Sequence, residues 1–419
     1  MEYKKINKNG VNLHLINTNR FKTVDVVIFF TKKFDKEDIV FGNYLASSLV
    51  YTSKKYNTKN KMAIIGEELY GAKVGSSFGL SGNLESFVFS VSFLNPKYTV
   101  PDYLDKSLDF LYEVLLNPNV EDGKFNQELF DIMTKEQITS INSVKLNPNA
   151  YASNEFGKIM FKGTPCEYST ITSIEELDKV NRKNLYDFYK RLFNGEYKVD
   201  FAVLGEVDES IVDKIFKKFS IIKSSNEKLS FNIEYKTDGK LVTKIDSLDF
   251  NQSKLYMGYR LNDMNYHELY HVLRVYNTIL GTMNDSILFN VVREEHSLCY
   301  SIGSYFNRYN KSLVIYAGIN KINYEETVEL IKKCVESMSD KKVIESLFDY
   351  AKKTLNTYLN SYYDDLVGQI NHYYYTEFDT VEDIETQRDN INKVTVDEVV
   401  KLNEKIKLST IYMLKGDNN

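Results

Sequence analysis

Five residues carry the plainest chemical signal in this sequence: His267-Glu268-Leu269-Tyr270-His271. Histidines four apart on an α-helix fall on one face, where both can ligate zinc, and the Glu between them can act as general base. A third ligand is available downstream at Glu294, Glu295 or His296. Taken alone, the pattern describes a self-sufficient zinc protease built on His267, Glu268 and His271. Its setting favours a different reading. The motif stands at the start of its helix, directly after Asn262-Asp263-Met264-Asn265, where a first turn is usually solvated. The apolar stripe that buries the helix begins only at Val272, Leu273, Val275 and Tyr276. On that reading the two histidines are a surface or half-buried pair that holds no metal.

Little else in the sequence is chemically loud. His14 and His372 stand isolated, and Tyr373-Tyr374-Tyr375 lies in a helical block where it packs or lines an interface. Cys166, Cys299 and Cys334 form no CxxC pair and no even framework, which points to a reducing compartment and a cytoplasmic protein. Cys299, on a strand between Leu298 and Tyr300, is expected to be buried and inert. The chain has 419 residues, 43% apolar and 26% charged, enough for two domains with cores of their own. A net charge of -5 gives no general nucleic-acid footprint. The start, Met1-Glu2-Tyr3-Lys4-Lys5, leads into no apolar signal-peptide core, and no apolar run is long enough to span a membrane. Tyr at 32 and Phe at 25 with no Trp, beside many Lys and Asn, suggest an AT-rich genome.

The elements that must position these residues occur twice. In the first half, strands at 11–17 and 24–31 precede a helix at 42–51 and a helix ending at Gly66-Glu67-Glu68-Leu69-Tyr70-Gly71. Alternating strands follow at 73–80 and 86–94, then a helix at 101–116 with Leu104, Leu108, Leu111 and Val114 on one face. Further helices run to Leu192, and the half closes with a strand at 201–205 and a helix at 208–219. The second half repeats the order: a strand at 253–259, a helix at 266–281, strands at 297–307 and 313–319, and a helix at 324–338. Helices at 364–391 and 395–406 then precede a last strand at 409–414. Phe87 matches Leu313, Val180 matches Val394 and Leu204 matches Leu414 at a nearly constant spacing, the mark of a duplicated domain. The fold class is α+β: two homologous domains, each a mainly antiparallel sheet packed with helices. The first spans 1–222, the second 239–419, and a polar linker covers 223–238.

A second constellation is far more specific. It runs Asn277-Thr278-Ile279-Leu280-Gly281, then Ser286-Ile287-Leu288-Phe289-Asn290-Val291-Val292-Arg293-Glu294-Glu295, then Ser297-Leu298-Cys299-Tyr300-Ser301. Together with Leu69-Tyr70-Gly71-Ala72, Lys158-Ile159-Met160-Phe161-Lys162-Gly163-Thr164-Pro165 and Val203-Leu204-Gly205, it resembles the pitrilysin/insulinase family of metallopeptidases, the inverzincins, over the whole chain. Thr282 replaces the family's usual second Gly, and Gly281 is expected to serve a tight turn.

The resemblance implies a fold in which the duplicated pair forms half of a clamshell peptidase. It also implies a zinc motif H-x-x-E-H on the first helix, with a distal Glu. Here that helix reads Asn43-Tyr44-Leu45-Ala46-Ser47-Ser48, which places Asn43 and Ser47 at the histidine positions and Ala46 at the general base. No His occurs between His14 and His267, and Glu136, near the distal position, cannot hold zinc alone. What the family's pattern retains is Arg293 and Tyr300, which in such proteins bind substrate near the scissile bond. An Arg offers five donors to a peptide carbonyl or carboxylate, and a Tyr hydroxyl can donate to an oxygen gaining charge. Set without that context, Arg293 would simply pair with Glu294 or Glu295 and Tyr300 would pack on its strand.

The resemblance thus implies a division of labour, as in bacterial heterodimers of the family and, in a related way, in mitochondrial processing peptidase. This chain would be the non-catalytic, substrate-binding subunit, with no cofactor of its own. Its partner would be a homologous H-x-x-E-H subunit that carries the zinc, and the two would enclose a peptide substrate that adds to a sheet edge of the catalytic subunit. A homodimer in isolation is compatible with this. The alternatives are the self-sufficient zinc protease and a pseudo-peptidase that only holds peptides.

Overall fold

Asn9 and Gly10 both take positive φ, 56° and 82°. That is the geometry of a two-residue turn whose twist matches the strands it joins, and Asn-Gly is the sequence that adopts it most readily. It pairs β1 (Glu2–Lys8) with β2 (Val11–Asn17) antiparallel, Lys8 opposite Val11. The computed structural model describes residues 1–169, 172–233 and 239–416. The end of the expected linker, residues 234–238, lies outside the described residues.

β1 and β2 belong to a six-stranded sheet with β3 (Thr23–Lys33), β4 (Lys73–Ser81), β5 (Leu84–Leu94) and β8 (Lys198–Gly205) in the order β1-β2-β8-β3-β5-β4. A small hairpin, β6 (Val120–Glu121) with β7 (Lys124–Phe125), stands apart. A second sheet holds β9 (Val242–Leu248), β10 (Ser253–Leu261), β11 (Cys299–Asn307), β12 (Ser312–Ile319) and β13 (Ile406–Gly416) in the order β11-β12-β10-β13-β9. Four pairings in the first sheet are antiparallel and β2–β8 is parallel; in the second, β13–β9 is the parallel pair.

The registers carry the duplication residue by residue. Phe87 lies opposite Phe30 and Leu313 opposite Tyr259. Leu204 lies opposite Asp25 and Leu414 opposite Lys254. Val180 and Val394 each precede a helix closed by a reciprocal capping box, Asn181 with Asn184 and Thr395 with Glu398. The fold is therefore α+β with antiparallel-rich sheets, repeated twice.

Two units result, and neither is one continuous stretch. The first comprises Met1–Ser143, Ser169–Phe231 and Asp364–Val381; the second comprises Val144–Tyr168, Asn232–Tyr363 and Glu382–Asn419. In the first, Val24, Val26, Ile28 and Phe30 of β3 face the main core, while Phe29 and Thr31 meet Tyr374 of the helix Leu366–Tyr375. Tyr374 stacks on Phe29 with ring centroids 3.8 Å apart and shares hydroxyl hydrogen bonds with Thr31 and Ser86. An aromatic pair of this kind adds about 0.5–1.5 kcal/mol beyond the area it buries. In the second unit, Leu255, Met257 and Tyr259 of β10 face the main core, while Tyr256 packs with Phe156 and Met160 of the helix Pro148–Met160. Each central strand is thus covered on both faces, and so reads as a nearly unbroken apolar run.

Three elements go beyond the sequence expectations. β1 and β9 are edge strands and mostly exposed; β1 carries three Lys, and β9 only scattered apolar residues, so neither shows an alternating apolar face. The helix Lys341–Ser361 buries Ile344, Phe348, Ala351 and Leu359. The expected helical block 364–391 is two helices, Leu366–Tyr375 and Ile384–Lys393, and they belong to different units. Among the described residues no helix is long and apolar enough to cross a membrane.

Candidate functional site

The helix Asp38–Ser48 packs its Tyr44 against the helix Gln127–Lys145, and the Tyr44 hydroxyl meets the Phe130 carbonyl and the Thr134 hydroxyl at 2.8 Å each. One turn on, the Gln137 amide donates to the Ser47 hydroxyl. Ala46 is buried, and its carbonyl accepts from Ser76 on β4. The positions where the family resemblance sets a zinc site thus carry an amide, a methyl and a hydroxyl at Asn43, Ala46 and Ser47, with Gln137 alongside. Glu136 does not face them; it pairs with Lys59 at 2.7 Å, and both side chains are substantially exposed. This set offers neutral dipoles, with no imidazole and no base to activate water.

The second-half motif is wound differently from the expected α-helix. Glu268–Val272 and Thr278–Thr282 form π-helical turns on either side of the α-helical Leu273–Asn277. The wider turn changes how residues four apart stack. His267 turns its Nε2 to Glu398 at 3.0 Å, and the buried His271 turns its Nε2 to Glu382 at 3.3 Å. Burial lowers the His271 pKa against the pull of Glu382. Glu268 caps the helix start, accepting from the Asn265 N–H at 2.8 Å, and meets Lys405 through both oxygens at 2.7 Å. Burial works to raise its carboxyl, but the Lys405 ammonium and that N–H outweigh it and hold it below the ordinary Glu value. Each member of the motif has a structural partner of its own.

Arg293 and Tyr300 are more exposed, although Arg293 too has local partners. Arg293 sits in the π-helical Phe289–Glu295, about 43% exposed, with its guanidinium over the Phe289 ring at 4.7 Å and Glu294 at 3.6 Å. Tyr300 is 69% exposed. It lies on β11, a strand at the end of its sheet, where the pairing with β12 jumps from Cys299–Ile319 to Ser301–Gly318 and skips it. That irregularity is a β-bulge, a device that re-aims a side chain out of the alternation. The same strand lends Ser301 and Tyr305 to a cavity of about 330 Å³, shared with Ser153, Lys254, Tyr256 and Tyr316. Lys254 is buried there, and desolvation lowers its pKa.

What fixes β11 was not visible in the sequence. Gly281 serves no tight turn; it lies inside a π-helical turn, where a Cβ would come within 2.5 Å of the Ser304 hydroxyl and 2.9 Å of its backbone nitrogen. The glycine lets helix and strand touch. Asn277 then bridges them, accepting from Ser304 Oγ at 2.7 Å and donating to Thr282 Oγ1 at 2.8 Å. Thr282, the departure from the usual second Gly, is thereby a working part of the joint. Cys299 and Cys334 are buried, and desolvation pushes their thiols up to about 11 and about 12.

Comparison with known proteins places this geometry. Residues 179–355 match the family model described as the peptidase M16 inactive domain. A relative from Bacillus subtilis strain 168 named "Probable inactive metalloprotease YmfF" is 26% identical over 412 residues, covering 97% of this chain and 96% of the relative. The chain is similar to M16 peptidases described as inactive. The pitrilysin/insulinase resemblance therefore holds, and the likeness is to the inactive metalloprotease-like kind. A second relative from the same organism, "Uncharacterized zinc protease YmxG", is 22% identical over 59% of this chain and 60% of its own length. Among solved structures, a conserved protein from Enterococcus faecalis V583 superposes with a TM-score of 0.92 at 25% identity, covering 100% of this chain and 99% of that one. A peptidase M16 inactive domain from Pseudomonas fluorescens gives 0.79 at 18% identity, covering 99% and 98%, and shares the fold.

Proposed function

We propose that this chain is the non-catalytic, substrate-binding subunit of a heterodimeric zinc endopeptidase, its homologous partner supplying H-x-x-E-H and the zinc. The observation that carries this reading is the presentation of Tyr300 at a bulge on an edge strand, with Arg293 half-exposed in the helical segment that leads into that strand. Tyr300 stands two-thirds in solvent, where its hydroxyl can reach a ligand. Arg293 would hold a peptide carbonyl or carboxylate, and the Tyr300 hydroxyl would donate to the carbonyl oxygen as it gains charge. The cavity beside Ser301 would receive a substrate side chain.

The test mixes this chain with an H-x-x-E-H homologue from the same genome and follows cleavage of a fluorogenic peptide library. Activity is expected only in the mixture. Y300F should lower kcat with KM nearly kept, and R293A should raise KM. Full activity of the homologue alone, or both variants at wild-type turnover, would sink the reading. The second reading, a self-sufficient protease at His267 and His271, asks Glu268 to be a free base, and Lys405 already neutralises it.

A further inference from the structure

His14, isolated in sequence, is not isolated in space. It lies on β2, whose parallel pairing with β8 sets Asn12 opposite Asp200 and His14 opposite Ala202. His14 and Asp200 are fully buried. Glu377, just past the helix Leu366–Tyr375, joins them in the same unit with a side chain about 6% exposed. His14 Nε2 stands 3.7 Å from Glu377 Oε1 and 3.8 Å from Asp200 Oδ1. Those separations are too long for hydrogen bonds, and among the described residues His14 Nε2 and Asp200 Oδ2 have no hydrogen-bond partner. A buried imidazole nitrogen without a partner is costly unless something lies between it and the carboxylates.

We propose that His14, Asp200 and Glu377 form a binding site for one divalent transition-metal ion. Their ligand atoms lie within 4.8 Å of one another. A tetrahedral ion with bonds near 2.0–2.2 Å sets neighbouring donors about 3.4 Å apart, so the present spacing closes on an ion with small movements. One nitrogen and two carboxylates suit zinc, manganese or cobalt better than the oxygen-only ions calcium and magnesium. An outer layer is also built. The Tyr3 hydroxyl lies 2.9 Å from His14 Nδ1, so it can accept that N–H and leave the Nε2 lone pair facing inward. The Asn12 amide donates to Asp200 Oδ1 at 2.7 Å and to Glu377 Oε2 at 2.9 Å, orienting both carboxylates.

Two ammonium groups share the site. Lys198 meets Glu377 Oε2 at 3.1 Å, and Lys5 meets Glu377 Oε1, the oxygen nearest His14. Lys5 reaches in from a stem 44% exposed, across a polar cavity of about 620 Å³ that it lines with Asn12, Lys198 and Glu377. It can swing out, and the ion takes its place on Glu377. Bound, the ion fastens β2 and β8 to the segment carrying Glu377, all within the first unit, and it takes no part in the chemistry proposed for Arg293 and Tyr300.

The chain, stripped with a chelator, is titrated with cobalt(II) by visible absorption and with zinc and manganese by calorimetry. One ion per chain is expected, with a raised thermal midpoint. H14Q and D200N should weaken binding at least about tenfold, as loss of a ligand costs no less than loss of an outer-layer partner. K5M removes the competitor from an exposed position and should tighten binding; it keeps the test decisive if the buried variants fail to fold. The H267A/H271A double variant should bind as wild type does. No saturable binding up to about 1 mM cobalt, roughly 4 kcal/mol of affinity, would overturn the proposal. So would unchanged affinity in K5M, or binding lost in H267A/H271A and kept in H14Q.

Discussion

Ser304 on β11 donates its hydroxyl to the Asn277 side chain at 2.7 Å, and both residues are almost fully buried. Through this contact the strand that presents Tyr300 is anchored to the helix of the N-T-I-L-G signature. Replacing Ser304 by Ala strands the Asn277 amide oxygen in a dry site, at a cost of about 1–3 kcal/mol. Urea denaturation should show that loss for S304A. A change within about 0.5 kcal/mol, the range of ordinary surface substitutions, would mean that the joint does not hold the strand.

Gly281 makes the same joint a matter of volume. A methyl group there would meet Ser304 Oγ at 2.5 Å and its backbone nitrogen at 2.9 Å. The hydroxyl can rotate away, but the backbone cannot move without lifting β11 from the helix. G281A should lose about 1–3 kcal/mol, as overpacked cores do, although Ala is the better helix former. Faster proteolysis within β11 relative to wild type would locate the damage; a stabilised G281A would refute it.

Tyr300 and Arg293 should behave in the opposite way. Their exposure means that little folding energy rests on them, so Y300A and R293A are expected to keep the thermal midpoint within about 2 °C while changing a partner's turnover. A large drop in midpoint would mark them as packing residues and weaken the case for a substrate role.

Much of this was legible before any coordinates. Val24–Thr31 and Phe201–Gly205 are nearly unbroken apolar runs because helices cover both faces of their sheets, and Phe87, Leu204 and their counterparts keep register because the duplication kept strand order. β1 and β9 were silent because, as exposed edge strands, they bury no alternating apolar face. The helix Lys341–Ser361 did carry its stripe, Ile344, Phe348, Ala351 and Leu359, at plain helical spacing. The sites were harder. Asp200 joins His14 only through a parallel pairing, and Glu377 only through a helix given to the other half's sheet. The role of Gly281 depends on a strand that approaches from more than twenty residues away. Spacing along a chain cannot show such meetings; it did show that His267 and His271 lie side by side, with ring centroids 5.4 Å apart, but not that each turns to a carboxylate of its own.

Glu85 gives the first unit a pH dependence. It is fully buried, and burial, with Asp38 nearby, pushes its carboxyl up to about 8 against the pull of the Asp35 N–H and Lys32. The folded state therefore holds this proton over a range where the unfolded chain, with an ordinary Glu near 4.3, has released it. Stability must fall as pH rises from about 4.3 toward 8, and level off beyond. E85Q, which keeps the neutral shape, should flatten that slope and be the more stable form at pH 8. If wild type and E85Q track each other across the window, the carboxyl is ionised in the fold and Lys32 neutralises it.

Glu268 offers the sharpest division between a structural and a catalytic motif. Its two oxygens bind Lys405 at 2.7 Å, and its carboxylate and the Asn265 side chain exchange hydrogen bonds with each other's backbone N–H at 2.8 and 2.9 Å. Such a carboxylate fixes the start of its helix and the segment bearing Lys405. E268Q keeps the cap but loses the charge, leaving Lys405 without its counter-ion. The pair is partly exposed, so a loss of about 1 kcal/mol is expected, measured as a lower urea midpoint. A base for a zinc-bound water would behave differently: E268Q would keep the fold and abolish a peptidase activity that the isolated chain must first possess. Activity of the purified chain alone, lost in E268Q at unchanged stability, would move the chemistry to this helix and away from the proposed partner.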